Sequence, residues 1–228
     1  IFCTFAHAMS LFLTQDGSHS IFAEQYGVTY HSRYGAITES LHVFIDAGLR
    51  FQAALKSDLN ILEVGFGTGL NALLTWVEAE KRNLSIRYTG IEAYPLPLET
   101  VETLNYEEQI APTVGRVPDF MQLHHCLWDR NVKLSGHFAL HKKHIRLETF
   151  RTSQVFDLIY FDAFAPQAQP ELWTERIMRL MYKTLGPDGC LVTYCAKGDV
   201  KRTLKSVGFE VERLAGPPGK REMTRAWK

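Results

Sequence analysis

Gly65, Gly67 and Gly69 stand at alternate positions directly after Asn60-Ile61-Leu62-Glu63-Val64, which reads as a short buried strand, and directly before Leu70-Asn71. Glycines so spaced let a chain turn sharply and come close to a bound molecule, because no Cβ stands in the way. A helix starting at that point aims unpaired N–H groups and a partial positive charge at the same place. Phe66, Thr68 and Asn71 complete the loop, and Glu63 adds a carboxylate two residues before the first glycine. An acid there suits a nucleoside binder that is not built around a phosphate. The nicotinamide fingerprint would need a third glycine where Leu70 stands. A ligand-free turn between strand and helix is the competing reading, but three alternating glycines would then cost chain entropy without return.

Two more carboxylates close expected strands. Glu92 follows Ile86–Ile91 and can accept both hydroxyls of a ribose; the alternative is a solvated loop acid. The glycine loop together with Glu63 points to S-adenosylmethionine as the bound nucleoside. Asp162 follows Leu158-Ile159-Tyr160-Phe161 and opens Asp162-Ala163-Phe164-Ala165-Pro166. An unpaired charge at the mouth of a buried strand is expensive, and a cationic or hydrogen-bonding ligand would remove that cost. Methylation of an amine needs such an acceptor, to hold the N–H and free the nitrogen lone pair. Asp162 is therefore the candidate catalytic residue, with Phe164 and Trp173 as an aromatic wall. A helix-capping or structural aspartate is the alternative. His124-His125, His137, His141 and His144 have no carboxylate or cysteine at ligand spacing, so no metal site is expected. No G-x-S-x-G, Walker loop or catalytic Cys–His signature is present.

The elements that would carry these residues alternate. Strands are expected over 60–64, 85–92, 137–141, 156–161, 190–195, 209–214 and 222–227, and helices over 70–81, 173–185 and 199–207, with another beginning near Leu98. Residues 106–128 read as mainly helical with an interruption near Pro112–Pro118, and Gly186-Pro187-Asp188-Gly189 as a helix-ending turn. Such alternation means a mostly parallel sheet covered on both faces, while the last two strands, joined by a tight turn, must include a reversed one. In such sheets ligands lie beyond the carboxyl ends of the strands, where Glu63–Gly69, Glu92 and Asp162 all fall. Before this core, 15–31 reads as a hairpin region and 38–55 as a helix broken at Gly48. The expected organisation is an extension over 1–9 with Met9 a candidate start, an amino-terminal cap over 10–57 and a core over 58–228.

Composition bounds the setting. The 228 residues are 46% hydrophobic and 22% charged, as in ordinary globular chains. Formal net charge is zero, so no global field draws in nucleic acid, although Lys197, Lys201, Arg202, Lys220 and Arg221 are candidates for a local basic surface. No apolar run reaches membrane-spanning length. Four cysteines without C-x-x-C spacing suit a reducing cytoplasm.

Four stretches resemble one family, the MnmC-type methyltransferase domain that completes 5-methylaminomethyl-2-thiouridine in tRNA. They are residues 30–44 (Tyr30-His31-Ser32-Arg33-Tyr34-Gly35 onward), 62–71, 162–166 with Leu172-Trp173, and Gly219-Lys220-Arg221-Glu222-Met223. The resemblance implies a class I S-adenosylmethionine-dependent methyltransferase, a Rossmann-like doubly wound α/β sheet with a reversed carboxyl-terminal strand and a small amino-terminal cap. It implies methyl transfer to the primary amine of 5-aminomethyl(-2-thio)uridine at the wobble position, with tRNA as partner. By analogy, Glu63 and the glycine loop hold the methionine part, Glu92 the ribose and Asp162 the amine. Tyr30, Glu39, Lys220 and Arg221 would face substrate or tRNA phosphate. Many members carry a fused FAD-dependent oxidase. No second dinucleotide fingerprint is present here, so only the aminomethyl form should be accepted. The family's acid after the third strand has no counterpart before Glu148, since Lys142-Lys143-His144-Ile145 stands there. A small-molecule amine methyl- or aminopropyltransferase, a nicotinamide oxidoreductase and a non-catalytic nucleoside-binding scaffold are the competing readings.

Overall fold

The computed structural model describes residues 9–24 and 26–228. The expected extension therefore lies outside the described residues, apart from Met9, which opens the first strand.

In chain order, β1 (Met9–Leu13), β2 (His19–Ala23) and β3 (Val28–Thr29) form a small antiparallel sheet, and a continuous helix, α1 (36–53), follows. The main sheet begins with β4 (Asp58–Val64), α2 (Leu70–Arg82) and β5 (Ser85–Glu92). Short helices α3 (Leu98–Val101), α4 (Tyr106–Val114) and α5 (Phe120–His125) lead to β6 (Asn131–Lys133) and β7 (Phe138–His144). Then come β8 (Phe156–Phe161), α6 (Glu175–Thr184), β9 (Leu185–Thr193), α7 (Gly198–Ser206), β10 (Glu210–Ala215) and β11 (Glu222–Trp227).

The eight main strands lie in the order β10-β11-β9-β8-β4-β5-β7-β6. β4 pairs in parallel with both β5 and β8, so the chain winds outward from the centre in two directions. β11 is antiparallel between β9 and β10, the reversal expected of the last strand. β8 is buried at every position, and its residues are apolar or aromatic except Asp157, whose carboxylate accepts from Lys56 and from the Asn60 N–H. In the register, Val64 lies level with Ile91 on one side and Phe161 on the other. That alignment brings the glycine loop, Glu92 and Asp162 to one edge, at the point where the winding changes direction.

Two apolar cores cover the sheet. Val43, Phe44, Ile45 and Leu49 of α1 share one with α2 and the facing side of β4, β5 and β8. Residues from α6 and α7 share the other with the opposite side. The 10–57 segment thus supplies a covering layer of the sheet through α1.

Several elements differ from the sequence expectation. Gly48 does not break α1. A Cβ at that position would come within 3.0 Å of Val192 and 3.2 Å of Tyr160, so the glycine marks a close approach of helix to sheet. The middle of α1, Leu41–Arg50, is wound wider than an α-helix. The helix read over 173–185 is split: Pro170–Trp173 forms a 3-10 turn, and Thr174 caps α6 by accepting from the Ile177 N–H. Residues 186–189 belong to β9 as an irregularity, with Asp188 at φ 59° and the register shifting opposite Phe156/Leu158. β6, three residues on the sheet edge, has too short a pattern to read.

Candidate active site

Beyond the strand tips lies a cavity of about 600 Å³, lined by the loops after β4, β5, β7 and β8 and roofed by Tyr26 and Tyr30. The glycine loop forms its base. Gly65 has φ +87°, and a Cβ there would sit 2.8 Å from the Asp162 carbonyl oxygen. Gly67 has φ +50° and lies under the Tyr30 ring, which a Cβ would meet at 3.3 Å. Both need a backbone that side chains rarely adopt, and both are pressed by a neighbour. Gly69 caps α2. The Gly65 and Phe66 N–H groups donate to the Ile91 carbonyl, and the Gly67 N–H donates to Glu92 Oε2 at 2.9 Å. Glu92 Oε1 accepts from the Tyr94 N–H, so this carboxylate is fixed with its remaining lone pairs toward the cavity it lines. Thr68 also borders the cavity, but its hydroxyl turns inward to accept from Tyr106. Phe66 packs on Gly90, where a Cβ would meet it at 2.7 Å.

Asn71, in the first turn of α2, joins two acids. Its Nδ2 donates to Glu63 Oε1 at 2.9 Å and to Asp162 Oδ2 at 2.8 Å. Glu63 is buried beneath the loop at 1% exposure and does not line the cavity itself. Burial pushes its carboxyl well above the usual range, against the Asn71 hydrogen bond and with the Asp162 charge adding to the rise. Glu63 Oε2 and Asn71 Oδ1 are buried without a hydrogen-bond partner. Glu63 Oε2 lies under the loop near the equally unpartnered Tyr88 hydroxyl, whereas Asn71 and Asp162 border the cavity. An unpartnered amide oxygen beside the Asp162 carboxyl suits a ligand that brings N–H donors and positive charge, as the ammonium and sulfonium of S-adenosylmethionine do.

Asp162 follows β8, with its N–H donating to the Val64 carbonyl. Its carboxyl is pushed up to about 7, chiefly by burial and then by the Glu39 charge, against the opposing pull of Asn71 and Lys220. Tyr194 beside it donates to the Ala163 carbonyl at 2.8 Å, and Lys220 Nζ lies 3.9 Å above the Tyr194 ring. Glu39, expected to face substrate or RNA, is buried instead, bonded to the Lys220 ammonium and the Ser32 N–H. The reason is electrostatic: a buried carboxylate on α1 is tolerated only with a cation, here Lys220, which follows the 216–219 turn. Lys220 is therefore an internal partner, and neither it nor Arg221 borders the cavity.

Aromatic rings shape the mouth. Phe164 lies between Tyr26 and Tyr30, each 5.0 Å away between ring centroids. Trp173, expected in the same wall, sits behind it. Its ring packs edge-on against Phe161, and its indole N–H donates to the Phe164 carbonyl at 2.8 Å. A buried tryptophan must satisfy its N–H, and here that bond fixes the loop carrying Phe164. Beyond Glu92, Ile145 and Leu147 add apolar lining, and Glu148, held by Arg146 at 2.7 Å, adds an acid. Lys142 points away, donating to the His124 carbonyl and lying over Trp128. Tyr26, Tyr94, Arg146, Glu148 and Glu171 were missed by sequence reasoning because they lie on rim loops without periodicity. Only the juxtaposition of strand tips marks them. No group of three metal-ligating side chains occurs among the described residues, and no described helix is long and apolar enough to cross a membrane.

A family model described as S-adenosyl-L-methionine-dependent methyltransferase matches residues 117–228. The crystal structure of MNMC2 from Aquifex aeolicus superposes with a TM-score of 0.77 at 25% identity, over 98% of this chain and 71% of that one. The tRNA 5-methylaminomethyl-2-thiouridine biosynthesis bifunctional protein MnmC of Azoarcus sp. is 30% identical over 95% of this chain. The chain belongs to the MnmC-type methyltransferases. The MnmC protein of Aromatoleum aromaticum is also 30% identical, over 94% of this chain. The chain spans about one third of the length of these curated relatives, 35% and 34% respectively. As an MnmC-type methyltransferase, the chain is an enzyme that uses S-adenosylmethionine, and the glycine loop and the unpartnered Asn71 amide oxygen beside Asp162 fit that group.

Proposed function

We propose that this MnmC-type domain methylates the primary amine of 5-aminomethyl(-2-thio)uridine at the wobble position of tRNA, in the cytoplasm. The names of its relatives supply the substrate class, and one observation carries the reading at atomic scale. The Asp162 carboxyl stands where the glycine loop meets a mouth lined by Tyr26, Tyr30 and Phe164. Gly65–Gly69 and Asn71 would hold the methionine part of S-adenosylmethionine, with Glu63 acting through Asn71, and Glu92 would hold its ribose. When bound, that group supplies an electrophilic methyl carbon on sulfur.

The chain's own residues then handle the amine. An aliphatic amine arrives protonated near neutral pH, and Asp162 titrating near 7 can first pair with the ammonium and then hold its proton. Asn71 fixes the Asp162 rotamer, so the freed nitrogen is presented along one line. Phe164 and Tyr30 provide edges on which a pyrimidine can pack.

The deciding experiment is mass spectrometry of nucleosides from aminomethyl-bearing tRNA incubated with the protein and isotopically labelled methyl donor. Label in the methylaminomethyl nucleoside is expected. Label appearing only in added free amines would favour a small-molecule methylase, and absence of transfer to any acceptor would favour a scaffold.

A further inference from the structure

A second groove, of about 420 Å³, opens beside the mouth and is carried by α6 and the strand-leading segment near Arg151. Arg176, Arg179 and Lys183 recur at helical spacing on the exposed face of α6, and Arg151 faces them from the preceding loop. Its two acids are already engaged: Arg146 bonds Glu148, and Arg179 bonds Glu175. Arg151 and Arg176 donate to main-chain carbonyls, both reaching that of Glu148, so their charges are not cancelled. Among the described residues, Arg151, Arg176 and Lys183 have no carboxylate at ion-pair distance, in a chain whose total charge is zero. Glu148 lines both the groove and the cofactor cavity, so the two are contiguous.

The other basic surface offers a contrast. There Lys201 pairs with Glu222, Arg202 with Asp199 and Lys220 with Glu39, while Lys197 and Arg221 have no carboxylate at that distance among the described residues. The groove differs in that its uncompensated charges stand next to the mouth, across Glu148. Phosphate oxygens are the ligands that such a guanidinium-rich strip accepts best.

The geometry points to this groove as the seat of the RNA sugar–phosphate backbone flanking the nucleotide whose base enters the mouth. The assignment rests on the tRNA reading above and extends it to a docking face. Contacts of this kind set affinity and salt dependence without reading sequence.

Two variants test it. R179Q/K183Q leaves the Glu148 loop untouched, and R151Q/R176Q/K183Q removes the three uncompensated charges. Each lost phosphate contact should lower the slope of log affinity against log salt by about 1. The double variant should therefore show a several-fold higher KM for tRNA and a slope reduced by about 1 to 2, with S-adenosylhomocysteine affinity unchanged. The triple variant should weaken tRNA binding by about tenfold or more at physiological salt. R202Q/K205Q, on the neighbouring helix α7 and outside the groove lining, is the charge-matched control and should match the parent. If the parent methylates tRNA while the double variant keeps its tRNA KM and salt slope, the groove assignment is overturned and the tRNA reading stands. If the parent neither binds nor methylates tRNA, both are overturned.

Discussion

Asp162 carries two consequences that can be separated. Its carboxyl titrates near 7 in the folded chain, against an ordinary value near 4. A raised carboxyl pKa means that the folded state holds a proton which the unfolded state has released, so stability is full below about pH 4 and declines as pH rises toward 7. D162N removes that penalty. It should stabilise the ligand-free protein at pH 8, by on the order of 2 kcal/mol, and have little effect at pH 4, as measured by denaturant unfolding. Activity should move the other way: loss of the acceptor costs roughly 10²–10⁴ in turnover, while S-adenosylhomocysteine affinity is retained. The acid limb of kcat/KM near pH 7 should vanish from the residual activity. A D162N protein with the parent's pH profile would remove the residue from the chemistry. Asp162 was legible because an acid ending a buried apolar run is chemically anomalous. Its partners Tyr194 and Lys220 were not, since they lie just after β9 and just before β11, far from Asp162 in sequence, and meet it only through the sheet order.

Glycines at the element scale show what a linear pattern can and cannot reveal. Gly65-x-Gly67-x-Gly69 announces itself by spacing, and the positive φ at Gly67 follows from the sharp strand-to-helix turn. G67A must adopt that φ with a Cβ 3.3 Å from the Tyr30 ring, so S-adenosylhomocysteine affinity should fall by about tenfold or more in calorimetric titration. Gly48 looks like a helix breaker and is instead a contact point under the sheet. G48A gains about 1 kcal/mol of helix propensity, but overpacking costs about 1–3. Val192 is stiff at χ1 in a central strand, and Tyr160 is tied near Thr75 and Phe44, so neither can yield freely. The packing loss should win, leaving G48A about 1 kcal/mol less stable in urea unfolding. A more stable G48A would show that the helix can move off the sheet. Pattern separates a breaker from a contact only when the partner surface is known, which is why α1 was broken in the sequence and continuous in the fold.

At the scale of the whole molecule, the two ends of the chain meet beside the reacting carboxyl. Glu39 comes from the amino-terminal helix and Lys220 from the last turn, and their ion pair lies against Tyr194. Both segments were recognisable as family stretches, yet their pairing was not, because two charges far apart in a sequence carry no mark of mutual burial. The Glu39 side chain is 8% exposed and the Lys220 side chain 32%, so the cost of separation falls mainly on the glutamate. K220M strands that carboxylate and should destabilise by about 3–5 kcal/mol, whereas E39Q/K220M should recover most of the loss. The same cycle has an electrostatic signature. Lys220 pulls the Asp162 carboxyl down and Glu39 pushes it up. The acid limb of kcat/KM should therefore move to higher pH in K220M, to lower pH in E39Q, and return close to the parent's position in the double variant. A purely structural bridge would change stability in this cycle and leave the limb in place.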